Sequence, residues 1–174
     1  MLAKRDNIVF RQCGEQEFDS VYFIINEAAD AYIGLIPDDC FKDPYMSRHE
    51  FRAEINSGVE FWGYEENDAL RGVMGIQRMQ DVVLIRHAYT RTEYQSTGIG
   101  SGLLKFLLGK TQRPVLVGTW SGTVRAIGFY QRHGFSVVSD AAKGKLLRKY
   151  WDVPNAQIEN SVVLANVAVE SLKY

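Results

Sequence analysis

The stretch of the chain that most constrains its fold is Gln95-Ser96-Thr97-Gly98-Ile99-Gly100-Ser101-Gly102-Leu103-Leu104. It follows an apolar run typical of a strand, Val82 to Thr90, and opens a run with helical spacing, Ile99 to Leu108. The first turn of a helix has unpaired N–H groups and the positive end of the helix dipole, and glycines let a phosphate approach the backbone closely. The stretch therefore predicts an anion site between a strand and a helix. A glycine-rich turn without a ligand is the alternative interpretation.

Two other phosphate-binding motifs are excluded by single residues. A dinucleotide-binding fingerprint needs a third glycine at position 103, where the sequence has Leu103. Gly109-Lys110-Thr111 is similar to the end of a Walker A loop, but that motif needs a glycine at position 104, where the sequence has Leu104. It also falls at the end of a predicted helix and not at its start.

The elements around this stretch predict a sheet with one parallel pair. Val59–Tyr64, Leu70–Met79 and Val82–Thr90 are strands with short connections, which favours an antiparallel meander. After the Ile99–Leu108 helix, Val115–Val117 is a short buried strand, so it should lie parallel to Val82–Thr90.

Further elements are predicted on either side of this unit. They are a strand at Ile8–Phe10, helices at Glu17–Tyr32, Ser47–Asn56 and Val124–His133, a loop from Gly34 to Met46, a strand at Phe135–Val138 and a candidate final strand at Ile158–Leu164. Ser47 with Glu50 forms a capping-box pattern. No prediction is made after Asn166.

Length, net charge and composition limit the classes of protein to which the chain can belong. The length of 174 residues is that of one domain, so residues 1–174 are predicted to form a single domain. A formal net charge of -1 does not suggest a nucleic-acid partner. No window approaches the roughly 18 apolar residues of a membrane span, and the amino terminus lacks the apolar stretch of a signal peptide. Cys13 and Cys40 are interpreted as free thiols, with no zinc site. The sequence thus predicts a cytoplasmic protein with no metal, nucleic-acid or membrane partner.

Two motifs together resemble those of the GNAT acetyltransferases. Gln95-Ser96-Thr97-Gly98-Ile99-Gly100 resembles the family's Gln/Arg-x-x-Gly-x-Gly/Ala loop, which cradles the coenzyme A pyrophosphate. Ala126-Ile127-Gly128-Phe129-Tyr130-Gln131-Arg132-His133-Gly134-Phe135 resembles the second family motif, in the family's order and spacing. Val117–Trp120 and Asn155–Leu164 also look like a bacterial branch of the family. The resemblance implies an α+β (α/β) fold: a mixed, mostly antiparallel central sheet of six to seven strands, with helices on both faces and a splayed strand pair at the cofactor site.

The resemblance also implies acetyl-CoA as acyl donor and a set of residues that contact it. These are Tyr89, Thr90, Gln95, Ser96, Thr97, Gly98, Ile99, Gly100, Ser101, Thr123, Ala126 and Tyr130. Three positions depart from the family pattern. Thr123 stands where asparagine is frequent, Thr90 where valine is frequent, and Gly118 near the place where some members have a catalytic glutamate.

Acyl transfer to an amine needs a base and an acid. An amine with a pKa of about 10.4 is neutral in about one molecule in 10³ at pH 7, and the leaving thiolate, with a pKa of about 8.5, benefits from a proton donor. Tyr130 is the candidate acid, since the resemblance places its hydroxyl at the sulfur; a core tyrosine is the alternative. His87 is the candidate base, with a packed histidine as the alternative. Strand alternation places Arg86 and His87 on opposite faces unless a bulge intervenes.

The acceptor is the least constrained part of the prediction. The family fold builds the acceptor pocket from the first helices, which points to Tyr32, Phe41, Tyr45 and Trp120, although aromatic residues at helical spacing are more often core. The predicted function is an N-acetyltransferase that acts on a small-molecule or peptide amine by direct attack in a ternary complex. A non-catalytic acyl-CoA-binding regulatory module and a site for another phosphorylated ligand stay open. A homodimer that pairs through the terminal strand is possible.

Overall fold

The computed structural model describes residues 7–151, 153–168 and 171–172; the polar start of the chain, residues 1–6, lies outside them. The described strands are β1 (Ile8–Gln12), β2 (Val59–Glu66), β3 (Ala69–Arg78), β4 (Val83–Thr90), β5 (Val115–Trp120), β6 (Ser136–Val137) and β7 (Ser161–Ala165). They form one sheet in the order β1-β2-β3-β4-β5-β7-β6. Neighbours pair antiparallel, except that β4 and β5 are parallel. The predicted mixed, mostly antiparallel sheet is confirmed.

Helices cover both faces of this sheet. They are α1 (Phe18–Ala29), α2 (Arg48–Asn56), α3 (Ile99–Leu108), α4 (Val124–Arg132), α5 (Asp140–Tyr150) and α6 (Asn155–Glu159). On one face, α3 and α4 pack on alternate residues of β4 and β5, with Ile85 and Val117 in the same cluster as Leu103 and Tyr130. On the other face, α1 and α2 pack over β2 and β3, while α5 packs over β4 and β5.

The parallel strands β4 and β5 separate partway along their length. They are paired at Val83–Ile85 and Val115–Val117, and both strands then continue without pairing to each other. A bulge in β4 begins beside this point. Between the pairs Gly75–Arg86 and Val73–Tyr89, β4 has one more residue than β3. Because a bulge bends the strand that carries it, β4 turns away from β5 and opens the sheet. This is the predicted splay.

Several predicted boundaries shift in the structure. The final strand, predicted from Ile158, begins at Ser161, because Pro154 precedes a short helix, α6, that contains Ile158. The helix predicted to Tyr32 ends at Ala29 and continues as a 3₁₀ turn. Helix α5 was not predicted, although its buried residues Ala142, Leu146, Leu147 and Tyr150 have helical spacing.

The terminal strand lies inside the sheet. β7 pairs with β5 along Ser161–Ala165 and with β6 at Leu164 and Ala165. Both edges of its carboxyl end are therefore occupied within the chain. On the edge away from β5, only the amino-terminal part of β7 lies beyond its pairs with β6, and a homodimer that pairs through this strand stays a prediction.

The predicted capping box at the start of α2 is present. Ser47 Oγ accepts from the Glu50 N–H at 3.2 Å, and Glu50 Oε2 accepts from the Ser47 N–H at 2.9 Å. Ser47→Ala is expected to lower the free energy of unfolding by about 1 kcal/mol, because one N–H of the first turn loses its acceptor. Urea denaturation measures the change. Ser47→Asn is the control, since asparagine also caps helices; equal stability of the alanine variant and the wild type would contradict the prediction.

Candidate active site

The loop before α3 presents backbone N–H groups to solvent. Ser96 and Gly98 have positive φ angles of 64° and 95°. The N–H of Gly102 makes the first hydrogen bond of the helix, to the carbonyl of Gly98 at 2.9 Å, so the amides of residues 99–101 have no acceptor within the helix. A Cβ added at Gly98 would meet nothing within 4 Å. The loop is therefore an accessible concave nest of N–H groups at the positive end of a ten-residue helix.

Side-chain hydrogen bonds tie this loop to the end of β4. Gln95 Nε2 donates to the carbonyl of Thr90 at 3.4 Å, and Thr97 Oγ1 donates to the carbonyl of Tyr94 at 2.6 Å. The Arg71 guanidinium lies 4.3 Å from the centre of the Tyr94 ring. The donors of the loop are thus held beside the diverging end of β4.

A cation that the sequence analysis missed lies at the same loop. Arg125, in the first turn of α4, donates from Nη2 to Ser96 Oγ at 3.3 Å. Its side chain is exposed, and so is Ser96. The sequence signal was its position directly before the motif residue Ala126. The arginine adds a full positive charge to the partial charges of the loop amides.

A cavity of about 160 Å³ lies where β4 and β5 separate. Helices on both faces of the sheet contribute to its lining, so the cavity connects the α3–α4 face with the opposite face. Its lining includes Arg86, His87, Ala88 and Tyr89 of β4, Gly118, Thr119 and Trp120 of β5, Ala126 and Tyr130 of α4, and Trp151, Val153 and Gln157 around α6. The last three were not singled out from the sequence, because α5 and α6 were not predicted.

Tyr130 is a buried residue of the cavity wall. It is 4% exposed, and its ring packs against Phe129 and Phe135 with centroid distances of 5.0 and 5.7 Å. Burial, with a smaller contribution from the Tyr32 phenol, raises the pKa of Tyr130 well above its usual value. Its hydroxyl therefore keeps its proton at neutral pH. Ala126, one turn earlier on α4, lines the same cavity.

Thr123, one of the predicted cofactor contacts, lies in the turn between β5 and α4. It precedes α4, and its Oγ1 donates to the carbonyl of Trp120 at 2.6 Å. The hydroxyl of Thr119 lies 3.0 Å away. Thr123 is buried, so its hydroxyl is engaged in the turn between β5 and α4.

Most of the aromatic residues predicted to form the acceptor pocket lie together in the wall of the cavity. Tyr32, Tyr45 and Trp120 line it, and Trp120 Nε1 donates to the Tyr45 hydroxyl at 3.0 Å. Tyr89 belongs to the same cluster, since it lines the cavity and its ring centroid lies 6.1 Å from that of Tyr32. Burial raises the pKa of Tyr32 to about 12. Phe41 does not line the cavity but contacts Tyr45, with ring centroids 5.9 Å apart. The cluster is a wall of neutral phenols and indole.

His87 occupies the bulge of β4 and has a positive φ of 50°. Its Nε2 lies 3.1 Å from Oε2 of Glu54 on α2, within ion-pair distance but without the alignment of a hydrogen bond. Arg86 Nη2 lies 2.8 Å from the same carboxylate. The bulge therefore brings both side chains to one carboxylate, and the simple alternation expected for Arg86 and His87 does not hold. Sequence reasoning missed Glu54, which is more than 30 residues away along the chain.

The cavity lining does not include His133, Cys13 or Cys40. His133 Nδ1 lies 2.8 Å from the carbonyl of Phe129 at the end of α4, a contact within the helix end. Cys13 and Cys40 are free thiols. Within the part of the chain that the structure describes, no three His, Cys, Asp or Glu side chains are grouped to hold a metal ion. No helix among the described residues has the length and apolar character needed to cross a membrane.

Comparison with known proteins identifies the family. The family model of an acetyltransferase (GNAT) domain matches residues 10–148, which is most of the chain. The chain therefore belongs to the GNAT acetyltransferase family, and it is an acyltransferase that uses acetyl-CoA. No curated protein matches the sequence significantly.

Solved structures share the fold at low sequence identity. The PaiA N-acetyltransferase of Thermoplasma acidophilum, solved in complex with coenzyme A, has a TM-score of 0.67 at 16% identity, over 93% of this chain and 99% of that one. The ribosomal-protein-S18-alanine N-acetyltransferase of Escherichia coli has a TM-score of 0.66 at 14% identity, over 97% and 100%. A GNAT-family acetyltransferase of Staphylococcus aureus Mu50 has a TM-score of 0.66 at 17% identity, over 94% and 100%.

Proposed function

We propose that the protein transfers an acetyl group from acetyl-CoA to a primary amine, carried by a small molecule or a peptide, by direct attack in a ternary complex. The observation that carries this proposal is the cavity that crosses the sheet where β4 and β5 separate. It lies between the loop before α3 and the aromatic cluster. Donor and acceptor can thus approach Tyr130 from opposite faces of the sheet.

The residues at the loop fit the phosphates of coenzyme A. The amides of residues 99–101 and the Arg125 guanidinium present positive charge to a pyrophosphate. Gly98 and Gly100 leave this surface without side chains, and Gln95, Ser96 and Thr97 form its rim. Beyond Ile85, β4 is no longer paired with β5, so the open edge of β4 near Tyr89 and Thr90 is suited to hold pantetheine, with the Thr90 carbonyl already engaged by Gln95. Ala126 and Tyr130 form the α4 side of the slot.

Each step of acyl transfer has a group in the cavity wall. His87 takes the proton that the attacking amine loses, and the Tyr130 hydroxyl supplies one to the leaving sulfur. A backbone N–H of the bulged part of β4 is suited to stabilise the negative charge that develops on the acyl oxygen. No cysteine lines the cavity among the described residues, which favours direct transfer over a covalent acyl-enzyme.

A thiol-release assay tests the proposal. The purified chain is first titrated with acetyl-CoA and coenzyme A in a calorimeter, and free thiol is then measured with and without a panel of primary amines. Amine-dependent thiol release supports acetyl transfer. Binding without release by any amine of the panel would favour the non-catalytic regulatory module. Absence of binding would contradict acetyl-CoA as the ligand and would favour another phosphorylated ligand at the same loop.

Arg125→Gln is expected to weaken coenzyme A binding by about fivefold, equivalent to about 1 kcal/mol, because one exposed charge-assisted contact is lost. The difference should shrink as salt is raised, since exposed charges are screened. Titration calorimetry at two salt concentrations measures it. Arg148→Gln is the matched control, because Arg148 is an exposed arginine on the opposite face of the sheet. Unchanged affinity in the Arg125 variant would remove this residue from the phosphate site.

Two further predictions accompany the function. We propose that residues 1–174 form a single GNAT-type domain, supported by one continuous sheet with strands from Ile8 to Ala165. A cytoplasmic location stays a prediction from the sequence.

A further inference from the structure

We infer that Glu54 is a positioning residue that orients His87 as the base for the acceptor amine. The inference rests on the proposed acetyl transfer and adds a residue from α2 to it. His87 lines the cavity that crosses the sheet, whereas Glu54 does not; the carboxylate lies behind the ring. A base supported by a second group that orients it is a recurring arrangement in enzyme sites.

The backbone at His87 points to a role beyond packing. A residue with a Cβ is disfavoured at a φ of 50°, and such conformations persist where the surroundings impose them. The bulge turns His87 toward Glu54, and the Phe61 ring stacks on the imidazole at a centroid distance of 6.0 Å with an interplanar angle of 25°. The ring is therefore held from two sides, by a carboxylate and by an aromatic face.

The contact with Glu54 also selects the nitrogen that can act. His87 Nε2 is buried and faces Glu54 Oε2. A proton on Nε2 is favoured by that carboxylate, which leaves Nδ1 as the nitrogen with a free lone pair. Glu54 thereby favours the tautomer of the neutral ring that carries its proton on Nε2.

The charged groups next to His87 are Glu54 and Arg86, which also contact each other. On β4, Arg86 contacts the same carboxylate, and its Nη1 donates to Gln77 Oε1 of β3 at 2.8 Å. On α2, Glu50 acts on Glu54 from one turn away and is paired with Lys42. The groups that line the cavity opposite His87 are the phenols Tyr32, Tyr45, Tyr89 and Tyr130, which are neutral at assay pH. Phe61 of β2 has no charge.

Glu54→Gln tests the inference through the pH profile of kcat/KM. In the wild type kcat/KM should rise with pH as the base loses its proton. With the neighbouring carboxylate removed, the midpoint of the kcat/KM profile should move to lower pH, and the plateau should fall about tenfold because the base is less well oriented. Coenzyme A affinity, measured by calorimetry, should not change. The double variant Glu54→Gln/His87→Gln should be no slower than His87→Gln alone, because Glu54 acts through His87.

Glu50→Gln is the matched control, since it removes the same charge from the same helix and glutamine also completes a capping box. Its midpoint should match the wild type. A Glu54→Gln variant with lowered thermal stability and an unmoved midpoint would show a merely structural ion pair and overturn the inference. If Glu54→Gln does not fold, Arg86→Gln is measured instead. The midpoint of its kcat/KM profile should move to higher pH, because a cation beside the pair is lost. A midpoint that stays in place would also overturn the inference. If coenzyme A still binds and Tyr130→Phe still lowers kcat, the proposed acetyl transfer stands even when the inference about Glu54 fails.

Discussion

Tyr130→Phe is expected to lower kcat by about 10²-fold or more, because the variant keeps the aromatic ring but loses the proton donor to the leaving sulfur. The packing against Phe129 and Phe135 is preserved, so coenzyme A affinity and thermal stability should stay close to those of the wild type. Since burial holds the pKa of Tyr130 well above its usual value, the hydroxyl is protonated throughout the assay range. The loss should therefore be similar between about pH 6 and pH 9.

Steady-state kinetics with a saturating amine measures this loss. Tyr150→Phe is the matched control. Tyr150 is also buried, but its hydroxyl donates to Asp81 Oδ2 at 2.7 Å, away from the cavity. The control should retain wild-type turnover. If Tyr130→Phe turns over at the wild-type rate while it still binds coenzyme A, Tyr130 is a core residue and the acid must be sought elsewhere.

Gly98→Asp is expected to weaken coenzyme A binding by about 10²-fold or more, and the Gly98→Asp/Gly100→Asp double variant to abolish it. A carboxylate at the mouth of the amide nest repels the pyrophosphate and competes with it for the N–H groups. Gly98 is exposed with a positive φ of 95°, and a Cβ there meets nothing within 4 Å. The added side chain meets no clash, but the positive φ strains any residue other than glycine, so the fold should survive with lower stability. Calorimetric titration reports the affinity directly.

Gly98→Asn separates charge from shape in this experiment. Asparagine has nearly the shape of aspartate, tolerates a positive φ and is neutral. Its affinity should fall only a few-fold. Equal losses in the asparagine and aspartate variants would mean that glycine is needed for space and not for an anion. Unchanged affinity in the aspartate variant, with circular dichroism showing a folded protein, would place the phosphates away from this loop.

Local chemistry explains why much of the fold could be predicted. The start of α3 follows from Gly98 before Ile99, and the start of α2 follows from Ser47 with Glu50, because a helix end needs a flexible residue or an acceptor nearby in the chain. The misplaced strand start at Ile158 has a local cause too. Ile158 is apolar like the residues of β7, but Pro154 permits a helical turn before the strand, and periodicity cannot separate so short a helix from a strand.

Contacts across the sheet could not be predicted in the same way. Arg125 meets Ser96, Trp120 meets Tyr45, and Glu54 meets His87 through pairs of residues far apart in the chain. Their meeting depends on strand register, and a single extra residue in β4 changes which side chains face the cavity. Arg86 and His87 show this directly, since alternation alone separates them.

The sequence by itself thus determined the family, the acyl donor and the loop that is suited to its phosphates, because motifs of adjacent residues contain that information. Only the tertiary structure decided where the sheet opens, how the predicted aromatic residues meet at the cavity and which carboxylate lies behind His87. These depend on the bulge at His87, on where pairing between β4 and β5 ends, and on the packing of α2 and of the α5–α6 segment on one face of the sheet. Side chains distant in the chain form a site only when backbone geometry brings them within a few ångströms of each other.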